Sequence, residues 1–153
     1  MNSLELKIPP PVVALVVCVA MWTLSLFAPA LEAPVFIRAI TALAIASVGG
    51  IFSMAGGIRF RRAKTTINPM KPQAASSLVT TGIYKFTRNP MYVGLLLVVI
   101  GWAAFLCSPW ALPGPVVFAL YITRFQIRPE ERVLTSLFGT EYTAYQSRVR
   151  QWL

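Results

Sequence analysis

Histidine is absent from this chain of 153 residues, and cysteine occurs only twice. Cys18 and Cys107 lie far apart and lack the spacing of metal ligands, so a zinc site built from cysteine and histidine is excluded. Both cysteines are expected to behave as small buried apolar residues. We therefore predict no metal partner for this chain.

Charge is also scarce. Charged residues make up 12% of the sequence and hydrophobic residues 56%, and the mean hydropathy is +0.65. This composition is too apolar for a soluble fold of such length and predicts an integral membrane protein with one domain over residues 1–153. The net charge is +9. Because no nucleic-acid-binding motif accompanies the basic residues, which flank apolar segments, we predict contact with membrane lipids and no nucleic-acid partner.

Four apolar segments predict four membrane-spanning helices. Residues 6–28 and 35–58 each cover the roughly 20 residues that cross a hydrocarbon core. Residues 91–107 and 116–127 are shorter, and residues 108–115 between them contain prolines and a glycine that suit a tight reversal. The predicted fold is therefore an all-α, four-helix membrane bundle whose last two spans form a helical hairpin.

The basic residues orient this bundle. Seven of them lie between the second and third spans, namely Arg59, Arg61, Arg62, Lys64, Lys71, Lys85 and Arg88. The connection 29–34 contains Glu32 and no lysine or arginine. Because basic residues favour the cytoplasmic side, residues 59–90 are predicted to be a cytoplasmic loop over the bundle. Both termini then lie in the cytoplasm of a bacterial-type inner membrane.

The second span contains small residues at helical spacing. They are Ala42, Ala46, Gly49, Gly50, Ser53, Gly56 and Gly57. Such a stripe predicts close packing of a neighbouring helix, and a ligand-binding role is the alternative. Arg38 in the same span is expected to extend toward the outer surface or to face a partner.

Residues 82–94 form a basic turn that leads into the third span. Gly82 relaxes the backbone, and Arg88 supplies a planar fork of donors suited to a carboxylate or phosphate. Pro90 sets the start of the helix, and Asn89 before it is kept out of helical geometry. Gly94 permits a close approach to the helix. The turn predicts an anion site, and a basic residue at the membrane entrance is the alternative.

Two adjacent acids, Glu130 and Glu131, follow Pro129. On a helix that continues past Pro129, both carboxylates border the apolar face that contains Leu134. Their charged form is disfavoured there unless a cation or hydrogen-bond donors compensate. The alternative is that Pro129 begins the helix and the acids complement its dipole.

An amphipathic pattern covers residues 128–153, which predicts surface helices after the last span. Gly139 is expected to end the first of them. Residues 141–152 form a second short segment with Tyr142, Tyr145 and Val149 on one side.

Three motifs occur in order along the chain: Gly82-Ile83-Tyr84-x3-Arg88-Asn89-Pro90-Met91-Tyr92-x-Gly94, then Glu130-Glu131, then Phe138-Gly139-x-Glu141-Tyr142-x2-Tyr145-x2-Arg148-Val149. They resemble the integral membrane methyltransferases that include isoprenylcysteine carboxyl methyltransferase and phospholipid methyltransferases. The resemblance covers roughly residues 66–153. Several motifs in sequence are more specific than one glycine turn.

The resemblance implies S-adenosylmethionine as cofactor and S-adenosylhomocysteine as product, bound at the cytoplasmic ends of the last two spans. Accordingly, the chain has no strand followed by G-x-G-x-x-G. Arg88 and Glu131 are the implied catalytic residues. The implied cofactor-binding residues are Tyr84, Arg88, Asn89, Pro90, Tyr92, Gly94, Glu130, Glu131, Tyr142, Tyr145 and Arg148.

The implied reaction is methyl transfer to a lipid-like or small apolar acceptor, which is a carboxylate, a thiol or an amine. The acceptor is expected to enter laterally between helices, over the small-residue face of the second span. Two alternatives are a non-catalytic protein that binds anionic headgroups and a nicotinamide-dependent reductase relative. One position departs from the family, which usually has histidine where this chain has Asn89. Asparagine does not titrate near neutral pH, so the residue at this position cannot act as a general acid or base.

Overall fold

The computed structural model describes residues 5–27, 31–66 and 68–153, and every regular element in them is helical. The α-helices are α1 (Pro10–Ser25), α2 (Val35–Arg62), α3 (Pro90–Leu106), α4 (Pro113–Ile122) and α5 (Arg128–Arg148). Short 3₁₀ turns cover Pro72–Ala74, Gly82–Lys85 and Pro109–Ala111, and a π-helical turn covers Thr123–Ile127. The end of the first predicted span and the start of the connection 29–34, at residues 28–30, lie outside the described residues.

The helix bounds differ from the predicted spans for local reasons. Helix α1 begins at Pro10, later than predicted, because the proline run 9–11 supplies no N–H groups and disfavours helical geometry before it. Helix α2 runs four residues past residue 58, since the basic residues of its last turn complement the helix dipole. Helix α4 begins at Pro113, where proline suits the first helical turn.

Within the described residues, one helix is long and apolar enough to cross a membrane by length and composition. Helix α2 has 28 residues, and its best window has a mean hydropathy of 2.0. Helices α1 and α3 have 16 and 17 residues. At 1.5 Å per residue they reach about 24 and 26 Å, short of a hydrocarbon core of about 30 Å.

The small-residue stripe of α2 packs against α3, as the spacing predicts. A side chain at Gly49 would overlap the backbone of Gly94, and one at Gly101 would meet the carbonyl of Ala42. At Gly56 the nearest atoms belong to Met91 and Pro90 at the start of α3. Lateral entry of a substrate over this face stays a prediction: α3 covers Gly49 and Gly56, whereas Ala42 and Ala46 line an open apolar groove between α1, α2 and α3.

Arg38 faces a partner and does not extend to the outer surface. Its Nε donates to the carbonyl of Phe105 at 2.6 Å, and its Nη2 donates to that of Leu106 at 2.9 Å. These carbonyls belong to the last turn of α3, where a cation complements the helix dipole. Arg38 thus joins the start of α2 to the end of α3.

Helices α4 and α5 form one continuous helical run through the π-helical turn. Pro129 has no N–H to donate to the carbonyl of Phe125, four residues earlier. That carbonyl accepts the N–H of Leu6 at 3.0 Å instead. The buried Glu5 beside it accepts from Arg132 Nη2 at 2.6 Å and pairs with Arg124 at 3.5 Å. The proline therefore creates the acceptor that holds the N-terminal segment.

Gly139, which was predicted to end a helix, leaves helical geometry with φ of 51° and ψ of −124° and bends α5 there, and the helix resumes after it. The second half of the helix continues to Arg148 and turns Tyr142 and Tyr145 inward. Both tyrosines pack in a small apolar cluster with Val79 and Tyr84. The bend thus folds the end of the chain back toward the turn that precedes α3.

Substitution of two neighbouring glycines tests the packing of α2 on α3. A side chain at Gly49 would overlap α3, whereas at Gly50 no atom lies within 4 Å. We expect Gly49→Ala to lower the free energy of unfolding by about 1–3 kcal/mol through overpacking. Gly50→Ala should leave it unchanged or raise it, because alanine favours a helix. Thermal unfolding of the detergent-purified variants measures both, and equal effects would contradict this packing.

Candidate functional site

A cavity of about 80 Å³ lies where α2 ends and where α3 and α5 begin. The segment 66–79 covers it, and the turn before α3 closes one side. Its lining residues are Phe60, Thr66, Asn68, Pro69, Pro72, Ala75, Ser77, Leu78, Val79, Tyr84, Arg88, Asn89, Pro90, Met91, Tyr92, Glu130, Glu131, Leu134, Tyr142 and Tyr145.

The turn before α3 is fastened to the end of the chain. Gly82 has φ of 66°, a left-handed conformation that favours glycine. Asn89 lies outside helical geometry, as predicted, and its Nδ2 donates to the carbonyl of Gln151 at 2.9 Å. The N–H of Arg88 donates to the carbonyl of Arg150 at 2.9 Å. In this chain the asparagine therefore fixes the C-terminal segment.

The guanidinium of Arg88 joins the two chemically important segments. Its Nε and Nη2 donate to Oε1 of Glu131 at 3.1 and 2.7 Å. Its Nη1 donates to the carbonyls of Gln146 and Val149 at the end of α5. The predicted convergence of Arg88 with the paired acids is thus present, and four hydrogen bonds within the protein occupy most of its five donors.

Glu130 also lines the cavity, but its surroundings differ from those of Glu131, which is paired with Arg88. Its Oε2 accepts a hydrogen bond from the hydroxyl of Tyr92 at 2.9 Å, and no ion pair reaches it from the described residues. Burial raises the pKa of Glu130 to about 7, and Glu131 adds to the rise while the bond from Tyr92 opposes it. Near neutral pH, a cation that enters the cavity would favour the ionised carboxylate.

Buried tyrosines form the aromatic part of the wall. The hydroxyl of Tyr145 donates to the carbonyl of Tyr84 at 2.7 Å, which ties the second half of α5 to the turn. Burial raises the pKa of Tyr84, Tyr142 and Tyr145 above the usual range. The three hydroxyls therefore stay protonated, and their rings offer apolar faces with no added charge.

Nine of the eleven residues in the predicted cofactor site line this cavity, and the other two lie elsewhere. Gly94 packs against Ser53 and the carbonyl of Gly49, so it serves the contact between α2 and α3. Arg148 is exposed, and its Nε donates to the carbonyl of Ala144 one turn earlier. The cavity brings together the turn, the start of α3 and the tyrosines of α5, and it excludes these two positions.

The covering segment supplies residues that sequence reasoning missed. The segment was expected to lie over the bundle, but none of its side chains was assigned to the site. Asn68 stabilises a local turn by accepting the N–H of Met70 on Oδ1, and the carbonyl of Pro69 accepts from Gln126 at 2.8 Å. The asparagine and prolines indicated a turn, but nothing in the sequence said which residues would face inward.

The raised pKa of Glu130 has a consequence for stability. Between the unfolded pKa of about 4.5 and the folded pKa of about 7, the unfolded state binds fewer protons than the folded state. The free energy of unfolding therefore falls as the pH rises through this range and levels off above it. Glu130→Gln removes this penalty and keeps an acceptor for Tyr92. We expect it to raise the free energy of unfolding at pH 8 by about 1–3 kcal/mol and to have little effect near pH 4.5.

Glu131→Gln is the matched control for that measurement. Its carboxylate neutralises Arg88, so its loss leaves a partly buried guanidinium without a charged partner. We expect this variant to lower stability at pH 8 by roughly 1–3 kcal/mol. Thermal unfolding in detergent at the two pH values measures both variants. Destabilisation by both at pH 8 would contradict the environment described for Glu130.

Comparison with known proteins identifies relatives for part of the chain. An uncharacterized protein of Haemophilus influenzae is 44% identical over 63 residues, which are 41% of this chain and 100% of that protein. Protein-S-isoprenylcysteine O-methyltransferase of Mus musculus is 42% identical over 76 residues, which are 48% of this chain and 26% of the enzyme. Protein-S-isoprenylcysteine O-methyltransferase B of Arabidopsis thaliana is 31% identical over 105 residues, 67% of this chain and 52% of the enzyme.

The chain thus spans about half or less of the length of the named methyltransferases that it matches. No solved structure gives a significant match. The family described as phospholipid methyltransferase matches residues 37–141, which include most of α2, all of α3 and α4, and the first part of α5 up to residue 141. Because this match covers more than half of the chain, the chain belongs to the phospholipid methyltransferase family, a family of methyl-transferring enzymes.

Proposed function

We propose that this chain binds S-adenosylmethionine in the cavity and transfers its methyl group to a lipid-like acceptor at the cytoplasmic face of a membrane. One observation carries the proposal. Glu130 is a carboxylate in a cavity with aromatic walls, and no ion pair reaches it from the described residues. Such a group disfavours its own charge until a cation arrives, and the cofactor bears both a sulfonium and an ammonium group.

The residues present suit this cofactor. Glu130 would hold a cationic group, and the rings of Tyr84 and Tyr142 offer faces for cation–π contact and for a nucleoside base. The start of α3 directs its positive dipole end toward the cavity, which suits a carboxylate. Leu134 and Val79 supply apolar surface. The bound cofactor would supply an electrophilic methyl group on sulfur.

The protein contributes the alignment of the methyl donor with the acceptor. In-line attack by an acceptor lone pair would form the new bond to the methyl carbon as the bond from that carbon to sulfur breaks, and the sulfur would leave as the neutral thioether of S-adenosylhomocysteine. The side chains hold the two reactants at attack distance, and such positioning is worth roughly 7–11 kcal/mol of the barrier in favourable cases. A carboxylate or thiolate acceptor needs no general base, which fits the absence of histidine.

Arg88 acts as a positioning residue in this scheme. Its donors are engaged by Glu131 and by the carbonyls that end α5, so it holds the carboxylate and the C-terminal wall together. This arrangement leaves Glu130 as the residue with free capacity for the ligand. It also argues against a nicotinamide dinucleotide, whose phosphates would require further unoccupied cations beside Arg88.

The membrane arrangement is part of the same proposal. We infer that α1, α2, α3 and the α4–π run, which is α4 with the π-helical turn that continues it, cross the bilayer. The basic loop 59–90 and both termini then lie in the cytoplasm. The large exposed apolar side chains of α1, α2 and α4 support contact with lipid. Acceptors with an amine or carboxylate on an apolar body fit both the family description and the relatives' names.

Equilibrium binding of S-adenosylhomocysteine to the detergent-purified protein tests the cofactor assignment. We expect saturable binding that Glu130→Gln weakens about tenfold, since a charge-assisted contact of roughly 1.5 kcal/mol is lost. Arg62→Gln removes a charge at the exposed end of α2 and should leave binding unchanged. Absence of saturable binding to the wild-type protein would rule out the proposal.

Binding of S-adenosylmethionine should depend on pH in one direction. The charged and titratable groups that surround Glu130 are Tyr84, Tyr92, Tyr142, Glu131 and, through Glu131, Arg88. Below its pKa of about 7, Glu130 must release a proton before it pairs with a cation.

Affinity should therefore rise about tenfold in total as the pH rises to about 7 and then level off, because protonated Glu130 and the Glu130→Gln side chain are both neutral. The profile of Glu130→Gln should be flat over the same range. An identical slope in that variant would assign the titration to another group.

A further inference from the structure

An open cleft shares Glu131 with the cavity as a lining residue. Arg124, Arg128 and Arg132 recur every four residues along its wall. Thr135, Gln146 and Glu131, whose carboxylate is paired with Arg88, complete the lining. Arginine forks match the geometry of a phosphate group.

The charge of this cleft is only partly neutralised. Glu5 accepts from Arg132 at 2.6 Å and from Arg124 at 3.5 Å. Arg128 is exposed and makes no ion pair with a carboxylate of the described residues. The glutamate thus holds two guanidinium groups in place, and a net positive charge remains for an anion.

The cleft lies directly below an apolar face. Val116, Val117 and Leu120 of α4 have 59%, 54% and 65% of their surface exposed. Arg124 and Arg128 follow at helical spacing on the same run. A change from exposed aliphatic side chains to arginines along one face marks the level of lipid headgroups.

We propose that Arg124, Arg128 and Arg132 form a binding site for the phosphate of an anionic phospholipid headgroup. The site is separate from the cavity and does not depend on methyl transfer. It would hold one lipid of the adjacent leaflet against the α4–π run and keep α5 at the membrane surface.

Native mass spectrometry of the full chain, offered equal phosphatidylglycerol and phosphatidylcholine, tests this site. We expect selective retention of one phosphatidylglycerol, reduced about fivefold in Arg128→Gln, since a basic residue near a membrane contributes about 1 kcal/mol. Arg62→Gln is the control with the same charge change. Equal losses in both variants, or no lipid selectivity, would overturn the proposal, as would full displacement of the lipid by millimolar inorganic phosphate.

A second observation concerns Gln126, which is 2% exposed within the π-helical turn. Its Nε2 donates to the carbonyl of Pro69 in the covering segment at 2.8 Å. The amide thus ties the π-helical turn to the segment that covers the cavity.

This buried hydrogen bond fixes the covering segment to the helical run that carries Glu130. The extra residue of a π-helical turn re-aims a side chain, and such turns occur often at functional sites. Here it directs a buried amide toward residues 68–79.

We infer that Gln126 is a positioning residue that holds residues 68–79 over the cavity and thereby supports ligand binding there. The ligand in this inference rests on the proposed function, but the contact itself is a property of the ligand-free protein. Loss of the amide should loosen the cover.

Hydrogen exchange of the ligand-free protein tests the first half. In Gln126→Met, which keeps the length but removes the donors, we expect amides of residues 68–79 to exchange about fivefold to tenfold faster, since one buried hydrogen bond is lost. Gln73→Leu, at an exposed position of the same segment, should leave exchange unchanged. If the methionine variant does not fold, Gln126→Glu keeps the shape and, when ionised, donates no hydrogen bond.

Equilibrium binding of S-adenosylhomocysteine tests the second half. A looser cover should weaken binding in Gln126→Met about fivefold relative to Gln73→Leu, and a purely structural role would leave the two affinities equal. Unchanged exchange or equal affinities would overturn the inference. If the wild-type protein bound no cofactor, the proposed function would fail, while the exchange experiment alone would still decide the role of Gln126.

Discussion

The ion pair between Arg88 and Glu131 is the contact on which the rest of the site depends. It joins the turn before α3 to the first turn of α5, and the same guanidinium also binds carbonyls at the far end of α5. A helix of 21 residues can meet one side chain at both ends only because Gly139 bends it. The packing of the tyrosines and the closure of the cavity follow from this arrangement.

The two adjacent acids have different roles because their surroundings differ. Glu131 is neutralised by Arg88, whereas Glu130 accepts a hydrogen bond from Tyr92, has no ion pair among the described residues and carries a pKa raised to about 7. Glu131 therefore fixes the wall of the cavity, and Glu130 places a carboxyl group without a cationic partner in it. Two consecutive residues thus differ in charge environment because Glu131 reaches Arg88.

Proline and glycine residues determine much of this geometry, because proline has no N–H group to donate and glycine has no side chain. Pro129 donates no hydrogen bond to the carbonyl of Phe125, which then binds Leu6, and the π-helical turn before it buries Gln126. Glycines 49, 94 and 101 let α2 and α3 meet at backbone distance. Toward the start of α2 the same face opens into an apolar groove lined by Ala42 and Ala46, so lateral substrate entry there stays a prediction.

The sequence alone determined the helical class, the helix–helix face of α2 and the break in helical geometry at Gly139, because these depend on local spacing and on residue type. Nine residues of the cavity wall were implied by the resemblance to the methyltransferases. The tertiary structure decided the partners: that Arg38 caps α3, that Asn89 holds the carbonyl of Gln151, and that Gly94 and Arg148 lie outside the cavity. Most of those acceptors are backbone carbonyls. Every residue has one, so no pattern of side chains identifies which carbonyl will be unpaired and within reach until the chain has folded.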